Sequence, residues 1–587
     1  MIKDLRSFLN ILSERGLLKE VHEPLDPNLE IPEFHLRTIE KGGPALLFKN
    51  PKGSRVPLVT NLFGTEERVD LAFGERPKDF VKNLVALSDE LLPPSPSALW
   101  KGRHLAWQGL KVGMKKVSPS KAPILENGPI PPCFDQLPIT TSWPEDGGPF
   151  ITLPLVYTEH PDTGHHNLGM YRIHIHDNET TGMHWQIHKG GGFHYHEAQK
   201  KGLSLPVTLF NGGPPALMLA AIAPLPEDVP ELLLASLLMG QRLERTKAPG
   251  AAHPLVAGAE FAFVGEVRPN ETRPEGPFGD HYGYYSLKHD YPVFRVQKVF
   301  HRNDPIFSAT VVGEPRQEDF FIGDYLQDLL SPLFPKVMPA VKDLVTYGET
   351  GFHCLAAAQV KVRYPREAVA TGMRILGEGQ LSLTKVLMLT DGEVTPRPFK
   401  AYLQYYLSRS DFRTDWHIFS CTSQDTLDYS GPKVNEGSKM MLVATGDEKF
   451  DLETKPPAEL PDGINKAALY CPGCLVVEGP TYESSSSYGK DISADQRLSP
   501  YRLVLLVDDL QACLESEMSF LWTWFTRFEP AADVHPSSSN LNRFHVEMGS
   551  PVLIDCRMKP WYPGRLIQNP DVISKIDEVW PRVMGKS

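Results

Sequence analysis

Residues 167–197 read NLGMYRIHIHDNETTGMHWQIHKGGGFHYHE, and the reading of the whole chain turns on them. Nine of the 20 histidines fall between His160 and His196. The alternation in RIHIH puts His174 and His176 on one face of a strand. The KGGG run at 189–192 leaves backbone N–H groups free to approach an anion closely. The stretch is therefore a metal or anion site, or a histidine-rich strand face turned to solvent. Asn167, His188 and the more distant Glu244 offer an amide oxygen, an imidazole and a carboxylate. Such donors suit Mg2+ or Mn2+, with no thiolate to select zinc. His174 and His176 keep a zinc-dependent hydrolase open as an alternative.

On either side of this stretch the signals are β. LPLVYTE, VTLFNG, EFAFVGEVRP, YPVFRVQKVF and IFSATVVG are short apolar strands separated by Gly/Pro turns, which predicts a barrel or sandwich over 118–335. Prolines recur every few residues between Ser118 and Pro154, marking an extended crossing into that domain. Residues 1–117 alternate helical patterns with apolar runs such as ALLF and VPLVTNLF, a small α/β domain. The first helix shows Leu5, Phe8, Leu9 and Leu12 at i, i+3, i+4, i+7, so it is amphipathic rather than a signal peptide.

Residues 336–587 contain an internal repeat, with copies at about 384–445 and 502–560. KVLMLTDGEV (385–394) aligns with LVLLVDDLQA (503–512), and LSRSDFRTDWH (407–417) with FTRFEPAADVH (525–535), both at an offset of 118. GSKMMLV (437–443) then aligns with GSPVLID (549–555) at an offset of 112. Each copy reads as a β-α-β unit in a C-terminal α/β domain. Residues 446–500 read as an insertion between the copies. CPGC at 471–474 reads as a turn carrying two thiols, since a zinc site normally shows a second Cys/His pair.

The bulk numbers narrow the class. A chain of 587 residues exceeds the roughly 250–300 residues of one core, so several domains are expected. A net charge of −12 disfavours nucleic acid as a partner. Seven scattered cysteines fit reduced thiols in a cytoplasm. The longest apolar run, ALMLAAIAPL at 216–225, is short of the roughly 20 residues of a membrane span.

A second constellation is RPEGPFGDHYGYY, residues 273–285. Glycine and proline exclude a regular helix here, so Glu275 and Asp280 lie on a shaped loop that can aim them at one point. Paired carboxylates push each other's pKa values apart, which predicts that one donates a proton near neutral pH. Arg172, turned inward, would grip a carboxylate with both arms of its guanidinium.

Taken in order, NLGMYR (167–172), MHWQIHKGG (183–191), Glu244 and PEGPFGDHYGYY (274–285) resemble the motifs of the UbiD family of decarboxylases, which use prenylated FMN. The resemblance runs from the first helix to LTKVLMLTD and covers most of the chain. It implies a multidomain α/β and α+β architecture with a central split β-barrel that binds the flavin. It also implies that Asn167, His188 and Glu244 hold Mn2+ (or Mg2+) at the cofactor phosphate, beside K+ or Na+. Met170, Tyr171, Arg172, His184, Trp185, Gln186, Lys189 and Gly190 would line the cofactor, with Lys385 as a further contact. Arg172, Glu275 and Asp280 would form the catalytic network, Asp280 delivering the proton. His184 and Lys189 stand where many members carry arginine, so a forked donor is lost at each.

The chemistry agrees with these residues. Loss of CO2 from an aromatic acid leaves charge on an sp2 carbon that no side chain delocalises, so an organic electron sink is needed. The spelling TTGMHWQ and the long C-terminal half look like the branch linked to menaquinone synthesis by the futalosine route, with a dihydroxynaphthoate as substrate. A 4-hydroxy-3-polyprenylbenzoate or another phenolic acid is the alternative. The resemblance further implies a flavin prenyltransferase that supplies the cofactor, CO2 as product, and a homodimer or homohexamer assembled through the C-terminal part.

Overall fold

The computed structural model describes residues 2–90, 109, 111–185, 190–225, 229–314 and 316–585. It divides into two compact units, Met1–Leu329 with Arg565–Ser587, and Leu330–Gly564. Among the described residues no helix is long and apolar enough to cross a membrane.

The first unit opens with the helix Leu5–Glu14, whose Leu5, Phe8, Leu9 and Leu12 are the buried positions. Asp4 caps it by accepting from Ser7 N, and Ser7 answers through its hydroxyl, the reciprocal arrangement that satisfies two orphan amides. The strands Leu18–Val21, Ala45–Phe48, Leu58–Thr60 and Phe307–Ser308 follow one another in a small mixed sheet.

The central layer is a seven-stranded antiparallel sheet. Its order is Thr180–Gly182, His289–His301, Phe261–Glu275, Leu205–Asn211, Leu155–Glu159 and His166–Gly169, with Asn127–Ile130 added beside His289–His301. The expected strands are present, and among the described residues the path is open, its two end strands Thr180–Gly182 and His166–Gly169 not pairing with each other, so the barrel is split rather than closed. Two long strands, Phe261–Glu275 and His289–His301, form its spine, and register shifts after Val264 and Val267 bend them. Phe263, Val267, Phe294, Val296 and Val299 fill the core beneath. The C-terminal helix Pro570–Met584 buries Ile576, Val579, Trp580 and Val583 in that core, and Trp580 Nε1 donates to Thr38 Oγ1 at 3.1 Å.

The second unit holds two sheets of the same plan. In the first, the hairpin Val341–Thr346/Leu355–Val360 leads to the parallel strands Val386–Thr390 and Glu436–Ala444, closed by antiparallel Trp416–Ser423. In the second, the hairpin Lys466–Cys471/Cys474–Glu478 leads to parallel Leu503–Val507 and Val552–Asp555, closed by antiparallel Val534–Pro536. The helices Phe399–Arg409 and Glu517–Arg527 occupy matching places. Even a turn repeats: Asp411 N donates to Asp415 Oδ2 at 2.9 Å, and Glu529 N to Asp533 Oδ2 at 2.7 Å.

Residues 466–478 are not insertion but the opening hairpin of the second copy, with Leu475, Val476 and Val477 fully buried. The central strands match at an offset of 117 rather than 118. Leu387 and Val504 then face equivalent cores with Met441 and Leu553, whereas a slip of one residue would turn each strand inside out. CPGC is the tight turn of that hairpin, with Cys471 opposite Cys474 and Gly473 at φ +80°. Burial pushes the Cys474 thiol well up, as expected of an inert thiol.

Candidate active site

Glu275 is the last residue of the strand Phe261–Glu275, and Arg172 lies between the strands His166–Gly169 and Ile173–His174. The turn after Glu275 is pressed against residues 142–147. A Cβ on Gly147 would stand 2.3 Å from Gly276 O, and one on Gly279 2.1 Å from Trp143 Cδ1, so both positions need glycine. Asp146 ties the two segments, accepting from Ser142 N and Trp143 N at 2.9 Å and from Gly279 N at 2.8 Å.

The loop thereby delivers its two acids to one guanidinium. Arg172 Nε donates to Glu275 Oε1 at 2.9 Å, Nη1 meets Asp280 Oδ2, and Nη2 donates to Ser286 Oγ at 3.0 Å. The guanidinium carbon also lies 4.9 Å from the centre of the Phe278 ring. Glu275 Oε1 is shared with His184 Nδ1, again at 2.9 Å. The His184 ring packs against Tyr291 with centroids 4.3 Å apart.

The electrostatics depart from the sequence expectation that one carboxyl would be raised. Burial alone would lift Glu275, but His184 and Arg172 outweigh it and hold the carboxyl at about 2. Burial likewise opposes ionisation of Asp280, and Arg172 and then His281 overcome it, so this carboxyl is also well below its usual range. A cation placed between the two acids replaces the mutual repulsion that the bare pair would feel. Burial and the Arg172 charge push His184 down, so its imidazole is neutral at pH 7. Its Nδ1–H then faces Glu275, leaving Nε2 as a buried acceptor with no partner among the described residues. Glu275 Oε2 is buried and unpartnered in the same sense.

A second group lies around Asn167. Its Nδ2 donates to Glu231 Oε1 at 2.8 Å, while Leu168 N donates to Glu231 Oε2 at 3.1 Å and Tyr171 Oη to Asn167 Oδ1 at 3.2 Å. Gly191 N donates to Tyr171 Oη at 3.3 Å. A Cβ on Gly190 would lie 2.8 Å from Asn167 Nδ2, and one on Gly191 2.7 Å from Trp185 Nε1. Gly190 and Gly191 are thus what let the helix Gly190–Lys200 start against this corner. Trp185 Nε1 is buried with no partner among the described residues, and burial raises the Glu231 carboxyl.

The carboxylate bonded to Asn167 is therefore Glu231, not Glu244. The Glu244 side chain is 48 % exposed and pairs with Lys115 at 2.9 Å. Gln186, His188 and Lys189 fall outside the described residues, and Met170 is partly exposed. Lys385 lies in the second unit, where its buried ammonium meets Asp428 at 2.8 Å, Phe528 O at 2.9 Å and Ser430 Oγ at 3.3 Å. His174 stacks on Phe150 at 4.4 Å with His176 5.0 Å away. No group of three or more His, Cys, Asp or Glu among the described residues is arranged to hold a metal ion. Ser286, Tyr291 and Glu231 are members of the site that the sequence reading missed. For Glu231 a signal exists, an acid heading the otherwise uncharged run ELLLASLLMG.

An arginine clamped by two buried acids beside an open antiparallel sheet defines a class, and comparison with known proteins gives the same one. Residues 9–88, 115–315 and 320–444 match the N-terminal, Rift-related and C-terminal domain models of UbiD, 3-octaprenyl-4-hydroxybenzoate carboxy-lyase. A Chlamydia caviae protein is 46 % identical over 585 residues, covering 100 % of both chains. A Chlamydia pneumoniae protein, named as one component of a 4-hydroxybenzoate decarboxylase, is 46 % identical over 578 residues, covering 98 % of this chain and 97 % of its own. Among solved structures, an evolved dimeric form of the UbiD-class enzyme HmfF from Pelotomaculum thermopropionicum, in complex with prFMN, is 26 % identical with a TM-score of 0.62, over 77 % of this chain and 97 % of that one. The chain belongs to the UbiD family and is a carboxy-lyase, a decarboxylase of that type.

Proposed function

We propose that the enzyme removes CO2 from a hydroxylated aromatic carboxylic acid without net oxidation, reversibly in principle, with bound prenylated FMN. The observation that carries this reading is the buried Arg172–Glu275–Asp280 triad. Arg172 orients the substrate carboxylate, Glu275 fixes the guanidinium, and Asp280 delivers a proton to the carbon that loses CO2. The cofactor supplies, when bound, the electron sink that no side chain provides.

The residues present fit that group. Trp185 Nε1, a buried donor with no partner among the described residues, would be available to a flavin phosphate beside Tyr171 and the helix start at Gly190. Asn167 and Glu231, with His188, would hold Mn2+ or Mg2+, and K+ or Na+ would sit alongside. Glu231 takes the place first given to Glu244 because it is the acid in contact with Asn167. A flavin prenyltransferase would supply the cofactor, and the chain would assemble as a homodimer or homohexamer in the cytoplasm.

For the substrate, the spelling around 180–189 favours a dihydroxynaphthoate of menaquinone synthesis by the futalosine route. The name of the Chlamydia pneumoniae relative favours 4-hydroxybenzoate. The test is to purify the protein from cells producing a flavin prenyltransferase, identify the released cofactor by mass, and measure CO2 from each acid. Turnover of a dihydroxynaphthoate with 4-hydroxybenzoate inert supports the first substrate. The reverse selects the second, and a holoenzyme inert to every aromatic acid overturns the reading.

A further inference from the structure

The acid assigned to proton delivery rests in the form that has no proton to give. Asp280 Oδ2 faces the Arg172 guanidinium, and that charge outweighs the effect of burial, so the carboxyl is ionised at neutral pH. A carboxylate acts as a general acid only after a neighbour has protonated it. His281 is such a neighbour for its other oxygen, Oδ1. The backbone N and the ring Nδ1 of His281 both lie 2.8 Å from it.

The surroundings suit His281 to this task. Its side chain is 24 % exposed, whereas that of Asp280 is 9 % exposed, so the pair steps from solvent to the buried acid. The imidazole packs beside Tyr282, with ring centroids 4.9 Å apart. Asp319, from the helix Glu318–Leu330, stands close enough that His281 pulls its carboxyl down against the effect of burial. Among the described residues, the carboxylates of Asp280 and Asp319 lie near the ring, with the guanidinium of Arg172 beyond Asp280.

Building on the decarboxylase reading of Arg172, Glu275 and Asp280, we propose that His281 is a proton relay that recharges Asp280 from solvent in every turnover. The steps balance. The carbon–carboxylate bond breaks, CO2 leaves, and the ring carbon takes one proton from the Asp280 carboxyl. The resulting carboxylate takes a proton from the His281 imidazolium at Oδ1, and solvent returns one proton to the imidazole. Net, one aromatic carboxylate and one proton give the arene and CO2. His281 acts through Asp280 and does not touch the reacting carbon, so it is a positioning residue.

A purely structural His281 would only hold the Asp280 carboxylate, a task that an asparagine amide at the same place also performs. His281→Asn therefore keeps a donor but cannot carry a proton. In the cofactor-loaded enzyme we expect its kcat to fall by about 10–100-fold with KM little changed. The alkaline limb of the kcat–pH profile, which marks loss of the imidazolium, should disappear. In His281→Ala, added imidazole should restore kcat in proportion to its concentration. A His281→Asn enzyme with wild-type kcat and an unchanged pH profile overturns the relay. The underlying reading fails separately, through an Asp280→Asn enzyme that keeps its activity. Retention of the bound-cofactor absorbance in each variant shows that the site has folded.

Discussion

Glu275 Oε1 stands 2.9 Å from both Arg172 Nε and His184 Nδ1, while Oε2 of the same carboxylate meets no partner among the described residues. One oxygen is thus committed to holding the site, and the other is a buried acceptor with no partner among the described residues. Glu275→Gln removes the charge but preserves the shape. Its expected effect is a loss of about 10²-fold or more in kcat/KM, as when a preorganised polar contact is removed from a buried site. Steady-state CO2 release measures it.

The same contact makes stability depend on pH. The Glu275 carboxyl is held at about 2 in the folded protein against 4.5 in the unfolded chain. Its folded value is the lower one, so the contribution is fully present above about pH 4.5 and is lost as pH falls through about 2. Urea unfolding at pH 7 should show Glu275→Gln to be less stable than the parent, and the gap should narrow at pH 3. A gap that widens at low pH would contradict the assignment.

The corner around Asn167 separates two acids. Glu231→Ala should abolish retention of manganese and weaken cofactor binding, because Glu231 is bonded to Asn167 at 2.8 Å. Glu244→Ala should leave both intact and cost at most about 1 kcal/mol, the usual ceiling for an exposed ion pair such as that with Lys115. Metal content per protomer, measured after gel filtration, decides between them.

Gly279 has no room for a side chain, since a Cβ would lie 2.1 Å from Trp143 Cδ1. Gly279→Ala should therefore displace the loop that carries Asp280. Overpacking of this kind costs about 1–3 kcal/mol, and kcat should fall with it. A variant with parental stability and activity would show that the loop is not braced by Trp143.

Much of this was legible in the sequence, and the failures have physical causes. The amphipathic run at Leu5, Phe8, Leu9 and Leu12 gave the first helix because one face is buried. Arg172, Glu275 and Asp280 were singled out by motif, and all three meet. Their protonation departs from what a bare carboxylate pair would show because the Arg172 guanidinium contacts both acids and lowers each. Glu231 was missed because an acid at a helix start reads as an ordinary first-turn residue, and only the fold reveals Asn167 beside it. The hairpin at 466–478 was hidden by polar segments on both sides, although its strands are buried.

In the proposed reaction Asp280 protonates the carbon that loses CO2. The most direct test compares wild-type and Asp280→Asn proteins, each loaded with prenylated FMN, for CO2 release from the dihydroxynaphthoate and from 4-hydroxybenzoate. The Asp280→Asn enzyme is expected to bind the cofactor normally and to lose turnover by about 10²–10⁴-fold. An Asp280→Asn enzyme that binds the cofactor and releases CO2 at the wild-type rate would contradict that role.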